Sequence, residues 1–215
     1  MKKLKLSQED VDKLVAVERK DVSTLIHGAG RNDVLFQVTV GDSPIWQYDL
    51  WKTMIRRSFN GEHKARNPAY QDVTCCDEWL SFASFVEWVN KEVGYSGKPV
   101  GLELDKDLIV KGNRIYSPEC CSFVPQAVNL LLTDRANHRG EFPVGVHKPK
   151  NRKKFQVLLS TGGKLKDIGS FNTPEEAFLA YKTAKESHIK AVATRHKDVL
   201  SPAVFESLMN WEIEP

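Results

Sequence analysis

Apolar residues along this chain change their spacing several times, and each change marks an element. In residues 7–17 (SQEDVDKLVAV) a capping serine and first-turn acids precede Val11, Leu14 and Val15 at helical intervals, which predicts a short amphipathic helix. The stretch up to Tyr48 sets Gly28, Gly30, Gly41 and Pro44 around the alternating run VLFQVTV, a strand or hairpin flanked by loops. In residues 49–59 (DLWKTMIRRSF) Leu50, Met54 and Ile55 keep the helical period while Lys52, Arg56 and Arg57 fall elsewhere, so a helix with a basic edge is expected. A second helix, at about 76–93, carries the stripe Trp79, Phe82, Val86, Val89 and Val93, which must pack against a core.

Beyond Gly94 the run LELDKDLIVKGNRIYSPECCSFVPQAVNLLLT reads as strand, long loop, strand and helix, a β-β-α unit. A polar connector, DRANHRGEF, follows, and a domain boundary is expected near Arg139. Alternation then resumes, with strands at 145–148, 155–159 and 166–170 separated by a basic turn and by Gly162-Gly163. Thr173 is placed to cap the next helix, Pro174 suits its first position, and Glu176 completes a T-x-x-E capping box. Ala177, Phe178, Tyr181, Ala184 and Ile189 can lie on one face of the meander, which leaves its other face open. The expected class is α+β: a helical N-terminal region, a central β-β-α unit, and a three-stranded antiparallel sheet packed on one helix. The expected segments are 1–45, whose function is unread, 46–138, 139–197, and a C-terminal helix within 198–215.

Charge matters through its distribution. The net +3 of the 215 residues is too mild to require nucleic acid. Between His147 and Lys166, however, Lys148, Lys150, Arg152, Lys153, Lys154 and Lys164 occur with no acid among them. A sheet bearing such cations on its strands and turns has the charge to grip phosphates, and a solvated basic loop is the other reading of the same residues. The cysteines form two adjacent pairs, Cys75-Cys76 and Cys120-Cys121, closer than common zinc frames, and read as buried thiols. No apolar run long enough to span a membrane and no secretory leader is evident, so a cytoplasmic protein is expected.

The pieces GVHK, KFQVLL, IGSF and TPEEAFLAYKTA resemble, in order and spacing, the strands and helix of the APETALA2-type DNA-binding domain. In that family the sheet reads the major groove of double-stranded DNA through Arg and Trp on its strands. The resemblance implies contacts from His147, Lys148, Lys150, Arg152, Lys153, Lys154, Gln156 and Lys164, with the family's tryptophans absent here.

The run from Leu104 to Asn129 resembles the HNH, or ββα-metal, nuclease motif through LDKD, GN, SPE and Asn129. The resemblance implies a divalent metal, Mg²⁺ foremost with Mn²⁺ or Zn²⁺ as alternatives, held by Asp105 and Asn129, with Lys106, Asp107 and Asn113 in the catalytic loop. Lys106 stands where the family has its general-base histidine, and a lysine is ordinarily protonated at neutral pH. Three arrangements remain open: a Lys106 of lowered pKa, a histidine from elsewhere such as His63 or His138, or a site that binds without cutting. Together with WKTMIRR, NPAYQDV and CDEWLSFASFVEW, the region 46–197 resembles phage and mobile-element proteins that join an HNH unit to an APETALA2-like module. Arg56 and Arg57 are then further DNA contacts. The expected function is a metal-dependent DNA endonuclease of homing or nicking type. A catalytically inactive scaffold that binds DNA or blocks a protein partner is the alternative, and a module that binds protein alone is a third.

Overall fold

The computed structural model describes residues 19–94, 99–132, 141–150 and 152–215, so the helix expected at 7–17, His138 and Arg139 lie outside the described residues. The chain divides into two compact units, Met1–Phe123 and Val124–Pro215.

In the first unit the strands are too short to organise a core, and helices do so instead. Strands β1 (Thr39–Val40) and β2 (Ser43–Pro44) make a small antiparallel hairpin. Only the end of the alternating run is therefore a strand; Val34 is fully buried and makes an isolated bridge with Arg19, and Phe36 and Val38 pack on the core, the Val38 carbonyl accepting the Ile45 N–H at 2.9 Å. Helix α1 (Trp46–Phe59) starts three residues earlier than its apolar period suggested, and Arg56 and Arg57 in its last turn face the negative end of the helix dipole. Asn60 then caps the short helix α2 (Gly61–Arg66) by accepting the His63 N–H at 2.7 Å.

The helix expected over 76–93 is two elements, a 3₁₀ turn at Asp77–Leu80 and helix α3 (Phe82–Val93). Ser81 divides them: its hydroxyl accepts the Ser84 N–H at 3.2 Å and donates to Asp33 at 2.7 Å, while the second Asp33 oxygen accepts the Ala83 N–H at 3.0 Å. A buried carboxylate from 48 residues upstream thus restarts the helix. The predicted stripe is core: Trp79, Phe82, Val86 and Val89 are fully buried, and Val93 packs against them. Strand β3 (Thr74–Cys75) pairs in parallel with β5 (Ile115–Tyr116), and β4 (Leu102–Asp105) pairs with β6 (Ser122–Pro125). All four cysteines are free; burial pushes the Cys75 and Cys121 thiols far up, which keeps them inert.

The unit boundary falls inside β6. The helix that closes the β-β-α unit, α4 (Gln126–Asn129), is a single turn that passes into 3₁₀ geometry at Leu130–Leu132. The C-terminal meander is as expected in kind: β7 (Val146–His147), β8 (Phe155–Thr161) and β9 (Lys164–Phe171) form one antiparallel sheet in the order β7-β8-β9. Helix α5 (Pro174–Arg195) lies on it, capped by the Thr173 hydroxyl, while Glu176 reaches back to the Asn172 N–H at 3.2 Å. Val146, Phe155, Val157 and Ala177 form the buried centre of this packing. A β-bulge between Val157 and Leu158 leaves Ile168 without a direct partner and turns it into that core. Farther along α5, Ile189, Val192 and Ala193 are buried, as are Val204 and Leu208 of α6 (Pro202–Met209). Among the described residues no helix is long and apolar enough to cross a membrane.

Gly145 fixes the approach of the sheet to α5. Its φ is +77° and a Cβ placed there would lie 2.1 Å from the Tyr181 ring. Gly145→Ala should therefore lower stability by roughly 2–5 kcal/mol, combining backbone strain with overpacking. Gly162→Ala, also at positive φ (+58°) but with open space around it, should cost less. Urea unfolding of both variants tests this, and equal losses would remove Tyr181 from the explanation.

Candidate functional site

The register of the C-terminal sheet sorts its side chains. His147 stands opposite Gln156 and Gln156 opposite Ser170, so these three form a cross-strand row. They point away from α5, because the alternate residues Phe155, Val157 and Leu159 are buried beneath it. The same outer face carries Leu158 opposite Asp167 and Ser160 opposite Leu165. Gln156 donates to Asp167 at 3.2 Å, and the other Asp167 oxygen accepts the Gly169 N–H at 3.0 Å. The outer face therefore holds an amide, an imidazole, a hydroxyl and a carboxylate rather than a carpet of cations.

The expected cations occupy other positions. Lys148 has its ammonium 4.8 Å from the centre of the Phe155 ring, on the helix side. Lys150, Arg152, Lys153 and Lys154 are exposed on the connection between β7 and β8. Lys164, opposite Thr161, belongs by parity to the helix-side set, at the other end of the sheet. Since β8 runs for seven residues, the two ends stand about 20 Å apart. Sequence alternation could place His147 and Gln156, but Asp167 and Ser170 emerge only once the register, including the bulge, is known.

The LDKD loop in the first unit is closed upon itself. One Asp105 oxygen accepts the N–H groups of Asp107 (2.7 Å) and Leu108 (2.8 Å). Lys106 is only 7% exposed, so its ammonium must be paired inside the protein. It donates to the Asp107 carboxylate and to the Asn113 carbonyl (3.3 Å), and lies 5.9 Å from the centre of the Tyr116 ring. The Asn113 side chain donates to the carbonyls of Lys106 and Ile115, each at 2.7 Å, and accepts the Ile115 N–H at 3.2 Å. Burial raises the Asp105 carboxyl above its ordinary range and pushes the Tyr116 hydroxyl up to about 12.

Lys106, Asp107 and Asn113 are thus brought together, as structural partners of one another. Asn129 ends α4 in the second unit, whereas Asp105 belongs to the first. Among the described residues no group of three or more His, Cys, Asp or Glu side chains gathers as a metal site. A fixed ammonium beside two carboxylates suits this donor set better than a divalent ion, which that charge would repel.

Arg56 is exposed at the end of α1. Arg57 is half-buried, with its guanidinium 5.1 Å from the Tyr70 ring centre and one N–H directed at the Tyr116 hydroxyl at 3.5 Å.

No family model matches this chain, and no match is found among curated proteins or among solved structures. The likenesses to APETALA2-type and HNH sequences rest on the quoted motifs.

The Asp105 geometry carries a prediction with a definite sign. Its folded-state pKa is raised, so its contribution to stability is present below the ordinary carboxylate range and is lost as pH rises through the folded value. Asp105→Asn keeps an oxygen for the two N–H groups and removes the buried charge. Thermal unfolding between pH 4 and 7 should lose this pH dependence, with stability at pH 7 unchanged or higher. A fall of more than about 2 kcal/mol at pH 7 would show that the charge itself holds Lys106 in place.

Proposed function

We propose that the protein binds double-stranded DNA through its C-terminal sheet, and that the LDKD loop is a nuclease-like scaffold closed by an internal ammonium rather than by a metal. The observation that carries the reading is the outward row His147, Gln156 and Ser170 on a sheet whose buried core residues Val146, Phe155 and Val157 lie on the other face. A sheet laid with that face toward a groove can offer such groups to base edges, where Gln pairs with adenine and a carboxylate accepts from cytosine. Phosphates need cations to either side, and Lys150, Arg152, Lys153 and Lys154 lie at one end of the sheet with Lys164 at the other. The spacing of about 20 Å lets the two groups reach both backbones bordering a major groove. The APETALA2-type motifs support the same orientation.

Charge reversal at Lys153 and Lys154 should weaken duplex binding and reduce the slope of log affinity against log salt by about 2, if each lysine meets one phosphate. Gln156→Ala should leave that slope in place and flatten preference among sequences. Filter binding at several salt concentrations reads both; an unchanged affinity at every salt would remove this surface from the proposal. Supercoiled plasmid with Mg²⁺ or Mn²⁺ should stay intact. Nicking that disappears in the Asp105→Ala, Asn129→Ala double variant would replace the scaffold reading with an endonuclease.

A further inference from the structure

Asn60, between α1 and α2, has both ends of its carboxamide engaged. Its oxygen accepts the His63 backbone N–H at 2.7 Å, so its nitrogen is the end that faces His27 Nδ1 at 3.2 Å. An amide nitrogen only donates, which leaves Nδ1 of His27 as the bare nitrogen and puts the proton on Nε2. The His27 side chain is exposed, and its backbone is the one non-glycine among the described residues at positive φ, +50°. Strained positions of this kind gather at sites that hold ligands.

His63 is arranged to the same end. Its Nδ1 is buried with no partner, so Nε2 is the nitrogen able to meet a ligand. Burial, followed by the nearby Arg56, Arg57 and His27, holds this imidazole below its ordinary pKa and therefore neutral. Tyr70 packs against the His63 ring at 5.4 Å between centroids and also carries the Arg57 guanidinium. Lys64 is spent on the carbonyls of Gln71 (3.1 Å) and Val73 (2.9 Å), and the nearby acid Glu62 is paired with Arg66 at 3.7 Å. What remains in this cluster is a set of donors: two imidazoles, the exposed Arg56 guanidinium and, behind it on the Tyr70 ring, the half-buried Arg57.

We propose that His27, Asn60, His63, Arg56 and Arg57 form a phosphate-binding site in the first unit, separate from the C-terminal sheet, that takes a phosphodiester of a nucleic-acid backbone. Glu103 lies near Arg57, yet donors outnumber acids in this cluster and so select an oxyanion, and guanidinium groups fit phosphate oxygens. His27 and Arg56 are exposed, so the site is open. An open site suits a phosphate carried in a chain that continues on both sides better than a free ion, which would need enclosure to be held against water. Asn60 is a positioning residue, since it acts by fixing the His27 imidazole.

The test uses the full chain. Imidazole ¹⁵N signals of His27 and His63 should move when a DNA duplex is added to the unaltered protein. Arg56→Gln with His27→Gln should lower the salt slope of duplex binding by about 1, as for one lost phosphate contact. The same decrease should appear in a Lys153→Glu, Lys154→Glu background, which separates this site from the sheet. Unmoved imidazoles, or an unchanged slope in variants whose unfolding midpoints match the parent, overturn the proposal. Signals that respond to inorganic phosphate and not to duplex would make the site one for free phosphate and overturn the backbone assignment.

Discussion

The Trp51 indole N–H donates to the carbonyl of Trp79 at 2.8 Å in a fully buried setting, and the first unit is assembled around that contact. It ties α1 to the turn that leads into α3, where a lost partner would leave a buried polar group unsatisfied at a cost of about 1–3 kcal/mol. The Trp51 ring also dictates what passes over it: a Cβ on Gly30 would lie 2.9 Å away, so only glycine fits. Gly30 closes a tight turn with Ile26, joined by reciprocal backbone hydrogen bonds of 2.8 and 2.9 Å. His27 is at the tip of that turn, beside Asn60 at the far end of α1. Aromatic packing therefore sets the place of polar groups that make no contact with the indole.

Two kinds of electropositive chemistry are kept apart in this chain. Lys106 is turned inward and compensated, so its charge holds a loop together and has little left to offer a ligand. The cations at the β7–β8 connection and Arg56 at the end of α1 are turned outward, where water screens them until a polyanion displaces it. The difference lies in burial, since a lysine at 7% exposure must find partners within the protein while an exposed one need not.

Much of the architecture was legible from spacing alone. The T-x-x-E box fixed the start of α5, the aromatic stripe around Trp79 marked the core, and alternation between turns marked the three strands of the C-terminal sheet. What escaped depends on partners distant in sequence. Asp33 interrupts the helix at Ser81, the parallel pairing of β5 with β3 joins segments with no shared pattern, and Asn60 meets His27 across 33 positions. The lysine-rich stretch looked like one surface because composition counts charges without direction; the ring beneath Lys148 and the parity of Lys164 put both on the helix side, at opposite ends of the sheet.

The bulge in β9 has a consequence for how the sheet can change over time. It acts as a phase shift, because residues before Ile168 and those after it keep opposite odd-even assignments. With Ile168 present, Phe171 reaches the apolar side and Ser170 the outer row because the bulge takes that residue out of the register. Straightening the strand with Ile168 kept would swap Ser170 and Phe171 between water and core, whereas deleting Ile168 would leave every other pairing in place, so the segment tolerates a shorter strand better than a flat one.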